Sequence, residues 1–113
     1  MNNLPEYTEA DWKLFRKKIS DWQERYMKAL IQEYVELLSD ESKHASDRFW
    51  ELEERIRADK QDTGVICEMR RSQLVYNMIS LAREGAITQE DLDGFSEGLV
   101  ERVSRCLGSL SCF

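Results

Sequence analysis

Few residues in this sequence are of a type and spacing that could support chemistry. The single histidine, His44, lies three residues after Glu41, which matches the Glu-x-x-His spacing found in di-iron helical bundles. Such a site needs two of these motifs and two further carboxylates that project inward. Here there is one motif, and it lies in a polar stretch. We therefore predict a solvated histidine and no bound metal.

Two other motifs are equally incomplete. The DLDG segment at 91–94 resembles the start of a calcium loop, but the ligand series and terminal Glu of such a loop do not follow it. The three cysteines, Cys67, Cys106 and Cys112, form no CxxC pair, and His44 is the only histidine for a Cys–His nucleophile. Phosphate-binding glycine loops and GxSxG are absent from the sequence. We expect a non-enzymatic protein without a cofactor.

The composition favours a small helical protein. A length of 113 residues fits one domain, and 42% hydrophobic residues are too many for a disordered chain. One proline and five glycines leave few positions to interrupt helices. The net charge of -6 argues against nucleic-acid binding, which depends on Lys and Arg at phosphates. An odd cysteine count, with no leader or long apolar run, predicts a cytoplasmic protein that does not enter a membrane.

The elements that would position these residues begin with one long amphipathic helix. Thr8, with Asp11 in the first turn, predicts its start, and the pattern ends near Ser39. Apolar residues recur in steps of three and four, as in a coiled-coil seam. The residues of this seam, and our candidate interaction residues, are Trp12, Phe15, Ile19, Trp22 and Tyr26.

Three shorter helices are predicted to follow. Ser46 would cap the second, whose inward residues would be Phe49, Trp50, Leu52 and Ile56. The third would run from about 65 to 84, with Ile66, Met69 and Tyr76 among its apolar positions, and would end at Gly85. Thr88 and Asp91 would form the capping box of the fourth, with Ile87 and Leu92 as a hydrophobic staple. The fourth would bury Phe95, Leu99 and Val103, and Gly94 and Gly98 would allow close helix contact.

These patterns predict an all-α, four-helix bundle-like domain, with one long N-terminal helix and three shorter helices. It would span residues 1–113 as a single domain, with a lead-in at 1–7 and a frayed tail at 108–113. Four segments, at 10–38, 49–60, 64–88 and 91–99, resemble a family of short bacterial helical proteins of unknown function. Some members carry a multidrug-transporter label, but the resemblance implies no mechanism and no functional residues. This sequence has no membrane-spanning segment to match that label.

One length mismatch carries the functional expectation. About 30 helical residues extend about 45 Å, whereas a compact domain of this size is roughly 35 Å across. Part of the aromatic seam, with Trp12, Phe15 and Trp22, would then project beyond the bundle unless a partner covered it. We therefore expect a protein–protein interaction module that forms a homodimer through this seam. Alternatively, the long helix bends, or the third and fourth helices cover it end to end.

Two further functions are weighed against self-association. A small acidic regulator or inhibitor could dock on another macromolecule, with its surface acting as a nucleic-acid mimic. A helix-turn-helix would use Arg70, Arg71, Ser72 and Gln73 to contact DNA. The predicted third helix is apolar on most sides, which suits a recognition helix poorly, so we expect these arginines to pair with acids on neighbouring helices.

Overall fold

The computed structural model describes residues 7–107, and this part of the chain contains four α-helices and no strand. The helices are α1 (Glu9–Ser39), α2 (Ala45–Asp59), α3 (Leu74–Glu84) and α4 (Glu97–Ser104). Short 3₁₀ turns at Arg71–Gln73 and Gln89–Leu92 lead towards α3 and α4. The all-α prediction, with one long first helix, is confirmed. The predicted frayed tail, the six residues before Tyr7 and Cys112 lie outside the described residues.

The hydrophobic core lies at one end of the molecule, where the first half of α1 packs against α3, α4 and the segment between them. Phe15, Leu74, Leu81 and Leu99 are completely buried there. The ring of Trp22 lies 6.2 Å from that of Phe95, just before α4. Three consecutive turns of α1 therefore pack their apolar residues against helices from the second half of the sequence.

Asp11 ties the start of α1 to the start of α4. Its carboxylate accepts hydrogen bonds from the Thr8 N–H at 2.9 Å, the Ser96 N–H at 2.7 Å and the Ser96 hydroxyl at 2.6 Å. The Thr8 side chain in turn accepts from the Asp11 N–H, which confirms the predicted cap. Asp11 is almost completely buried, so these donors replace the water that its charge would otherwise require.

The third helix is much shorter than predicted. It begins at Leu74, and long-range hydrogen bonds hold the preceding segment in a non-helical form. The Glu84 carboxylate accepts from the N–H groups of Thr63 and Gly64, and the Asn77 side chain donates to the Glu68 carbonyl. Since this segment does not continue α3, Ile66 and Met69 are exposed rather than inward, and Tyr76 is exposed on α3 itself. These three placements were wrong.

The region before the fourth helix mixes confirmed and wrong predictions. Gly85 adopts φ 80° at the end of α3, and Thr88 with Asp91 forms the capping box, both as expected. This capping box starts a 3₁₀ turn rather than the fourth helix. Gly94, at φ 93°, follows the turn, and α4 begins only at Glu97. Gly98 has open space where its side chain would be, so the predicted close helix contact is absent there.

We expect Asp11→Asn to lower the free energy of unfolding by about 1–3 kcal/mol, since an amide cannot accept all the donors that the carboxylate accepts. Chemical denaturation of the two proteins measures the difference. Asp21→Asn, at an exposed position of the same helix, is the matched control and should change stability by less than about 0.5 kcal/mol. Equal losses in the two variants would contradict the role given to Asp11.

The same carboxylate predicts acid sensitivity. Burial alone would raise the pKa of Asp11, but hydrogen bonds from Ser96 and Thr8 outweigh it and hold that pKa below its usual value. A carboxyl whose pKa is lowered by folding stabilises the fold above its unfolded pKa of about 3.9 and loses that contribution as the pH falls further. Asp11→Asn should therefore lose less stability than the native protein between about pH 5 and pH 3. Parallel pH profiles of the two proteins would contradict this.

Candidate protein-interaction surface

The predicted aromatic seam is part of the core. Trp12, Phe15, Ile19 and Trp22 are 0–7% exposed, and the chain itself covers them. Of the alternatives left open by the sequence, cover of the first helix by the third and fourth helices is seen over the seam, with the connecting segment contributing, but it does not extend from end to end. Tyr26, the last residue of the seam, is half-buried and donates a hydrogen bond to Asp62 at 2.6 Å. The first four seam residues are therefore not available on the surface of this fold, and Tyr26 is only partly exposed.

The length mismatch is nevertheless present, at the other end of α1. The molecule measures 59 × 28 × 23 Å, with a radius of gyration of 16.8 Å, well above the 13 Å typical of a compact domain of about this length. The second half of α1 extends past the core, and α2 packs antiparallel along it. The two helices form a helical hairpin. The sequence predicted an uncovered stretch of α1 but placed it at the wrong end.

Polar contacts hold the two arms of the hairpin together. Tyr34 on α1 donates to Asp59 on α2, and burial, this bond and the Asp59 charge raise the pKa of Tyr34 to about 12. Arg55 bridges to Glu33 at 2.6 Å, and its guanidinium lies 5.5 Å from the centre of the Tyr34 ring. The Glu33 carboxylate is therefore paired within the chain.

At the tip of the hairpin, Arg48 donates to the Leu38 carbonyl at 2.6 Å, close to the end of α1. Helix α2 starts at Ala45, and the predicted cap Ser46 lies inside it. The tip contact fixes the antiparallel register, with the start of α2 beside the end of α1.

No residue of α2 is buried. A two-helix layer has an open side, and here the apolar residues that were predicted to face inward lie on it or beside it. The prediction that Phe49, Trp50 and Ile56 are core residues was wrong, because no third helix within residues 7–107 packs over α2. The large exposed apolar side chains of the hairpin are 39–62% exposed, and they are Ile31, Val35, Leu38, Phe49, Trp50 and Ile56.

Five of these side chains form one surface, which we call the hairpin surface: Ile31, Val35, Leu38, Phe49 and Ile56. Steps of three, four and seven residues place the members of each helix on one face. Ile31 and Ile56 line the same apolar groove of about 190 Å³, together with Met27, Leu30 and Tyr34. At the tip, the Arg48–Leu38 hydrogen bond places the start of α2, which carries Phe49, beside the end of α1. Trp50 packs edge-on against Phe49, with ring centres 5.0 Å apart.

A compact junction joins the hairpin to the core. Tyr26 binds Asp62, Gln23 donates to the Thr63 carbonyl at 3.2 Å, and Glu84 accepts from the backbone of Thr63 and Gly64. Burial raises the pKa of Glu84, although these backbone donors oppose the shift. Gly64 lies directly on the Tyr26 ring, where a Cβ atom would come within 2.3 Å. The orientation of the hairpin therefore depends on a position that only glycine fits.

The residues first considered for chemistry are not brought together. Glu41 and His44 lie at the exposed tip of the hairpin, and residues 7–107 contain no cluster of three or more metal-ligating side chains. Cys67 is a free thiol, and Cys106 is buried in the core. Burial raises the pKa of Cys67 to about 11, so it is protonated at neutral pH and a weak nucleophile. Arg71 forms an ion pair with Glu9 of α1 at 2.8 Å, as expected. Arg70 instead pairs with Glu68, two residues before it, at 2.9 Å.

Comparison with known proteins leaves the chain without an assigned family. Neither family models, curated proteins nor solved structures gave a match. The resemblance to short bacterial helical proteins stays a prediction. Among residues 7–107, no helix is both long enough and apolar enough to span a bilayer.

We expect Gly64→Ala to destabilise the protein by about 1–3 kcal/mol, because the added methyl group must displace the Tyr26 ring. Thermal or denaturant unfolding measures this loss. Gly98→Ala is the matched control, since nothing lies within 4 Å of its Cβ position and alanine favours a helix. Gly98→Ala should leave stability unchanged or raise it by up to about 1 kcal/mol. A neutral Gly64→Ala would contradict the packing described at the junction.

Proposed function

We propose that this chain is a non-enzymatic protein–protein interaction module that forms a homodimer through the hairpin surface. The observation that supports this is the exposed apolar side of a two-helix layer with no buried residue on α2. A pair of helices buries its apolar stripe only when a further layer covers it. A second hairpin would complete a four-helix arrangement of the usual kind.

The area of the surface is suited to a modest dimer. Its five apolar side chains, at roughly 200 Å² each and about half exposure, present about 500 Å². That area lies within the range for the largest apolar patch of a typical monomer, about 300–600 Å². Two copies would bury roughly 1,000 Å² in total, the smallest area expected of a specific protein–protein interface. We therefore expect a dissociation constant in the micromolar range.

The proposed interface replaces the one expected from the sequence. Trp12, Phe15, Ile19 and Trp22 stabilise the fold from within, so they cannot be the anchors of a dimer of this folded chain. The anchors we propose instead are Ile31, Val35 and Phe49. A cytoplasmic location remains part of the proposal. The acidic-regulator alternative still depends on the net charge of -6 alone.

We expect Ile31→Glu to abolish self-association, because burying an unpaired carboxylate in an apolar interface costs more than a micromolar dimer can offset. Analytical ultracentrifugation over a concentration series should show a concentration-dependent dimer for the native chain and a monomer for the variant. Circular dichroism should show the same helix content in both.

Ala29→Glu is the matched control. It adds the same charge to an exposed position of α1, two residues away and therefore on the opposite side of the helix. This variant should dimerise like the native chain. A native chain that stays monomeric at several hundred micromolar would refute the proposed function, as would a dimer that Ala29→Glu and Ile31→Glu affect equally.

A further inference from the structure

The hairpin surface has a symmetry in its sequence that bears on how two copies would pack. Along α1 its exposed residues run Ile31, Val35, Leu38, and the midpoint of Ile31 and Leu38 falls between Tyr34 and Val35. Exposed Lys28 lies three residues before Ile31, and exposed Glu41 lies three residues after Leu38, in the turn at the tip. The surface thus has apolar residues in the middle, a cation at its base and an anion at its tip.

From this arrangement we infer that the dimer is antiparallel, with its two-fold axis passing between Tyr34 and Val35. In a two-fold interface, if residue i of one copy contacts residue j of the other, then j also contacts i. An antiparallel pairing would bring Ile31 against Leu38 and Lys28 against Glu41, each twice. The inference rests on the proposed function, because it specifies the partner and orientation at the same surface.

Charge distinguishes the two orientations. In a parallel dimer Lys28 would face Lys28 and Glu41 would face Glu41, and like charges placed together are unfavourable. At the base, Lys60 lines the groove beside Asp59, and the Asp59 carboxylate is already bound by Tyr34 and Arg55. At the tip, Asp40 precedes Glu41, and the nearby Lys43 is already paired with Glu51. In the antiparallel arrangement, the positively charged base of each hairpin therefore faces the negatively charged tip of the other, at both ends of the interface.

The groove supports the same orientation. Its apolar walls at the base are formed by Ile31, Tyr34 and Ile56. In the antiparallel arrangement the tip of the second copy, with Leu38 and Phe49, lies over this base. Side chains that protrude from one hairpin would then enter a concave part of the other, as in ridge-into-groove packing of helices.

Charge reversal tests the orientation. Sedimentation equilibrium at low ionic strength, about 50 mM, would compare the native chain with Lys28→Glu, Glu41→Lys and the double variant. Each single reversal should weaken dimerisation about tenfold, because it places like charges together at two symmetric points, and the double reversal should restore it to within about threefold of the native value. Lys17→Glu, exposed on the first half of α1, should leave the dissociation constant unchanged.

Cross-linking gives an independent readout. A short bis-maleimide should join Lys28→Cys chains to Glu41→Cys chains in an equimolar mixture, with the linked peptides identified by mass spectrometry. Lys28→Cys chains alone should give no link between the two introduced cysteines. This identification separates the introduced cysteines from the native ones.

The outcomes separate this inference from the proposed function. A native chain that is monomeric throughout would overturn both. A dimer that Ile31→Glu abolishes, but in which the double reversal fails to restore what the single reversals lose, would overturn the antiparallel arrangement alone. A link between two Lys28→Cys chains would overturn it in the same way. Restoration by the double reversal, together with the mixed link, would support the arrangement.

Discussion

The structure depends on one constraint: α1 is longer than the body that covers it. A helix of 31 residues extends about 45 Å, and the second half of the sequence supplies a wall for only its first half. There the seam is sealed by α3, α4 and the segment between them. Beyond that wall the same helix has a single neighbour, α2, and an apolar side that no other described part of the chain covers. The first half of α1 thus belongs to the core, and its second half belongs to the candidate interface.

Polar groups determine how the core and the hairpin are joined. Asp11 anchors the buried end by binding both Thr8 and Ser96, so the start of α1 is fixed against the start of α4. Further along, Glu84 and Tyr26 bind the segment around Gly64. The non-helical chain that follows this segment, up to Arg70, takes the place of the predicted first turns of α3. Since these bonds orient the hairpin, its exposed side is presented by a fixed scaffold rather than by a loop.

The sequence predicts the elements better than their surroundings. Local signals gave the start of α1 at Thr8, its end near Ser39, the turn at Gly85 and the capping box at Thr88, because each depends on residues within one helical turn. The buried residues of the first half of α1 were also readable as a stripe. The residues that cover this stripe could not be predicted, because they are distant in sequence: Trp22 contacts Phe95, 73 positions later.

The candidate surface was missed for the same reason. Periodicity shows that Phe49 and Ile56 share a face of α2, but it cannot show whether another helix lies over that face. The partners of Asp11 and Glu84 are likewise set by the tertiary fold. Gly64 carries no local signal for its role, which follows only from the approach of the Tyr26 ring. The length of α1 predicts that part of the helix is left uncovered, but not which end the other helices cover.

The central claim is that a second copy covers the hairpin surface. Hydrogen–deuterium exchange at low and high micromolar concentration tests it most directly, because backbone protection follows local stability. The account predicts that exchange slows with concentration in α2 and in the second half of α1, around Val35, while α3 exchanges at the same rate throughout. Exchange in α2 that is independent of concentration up to several hundred micromolar would contradict it.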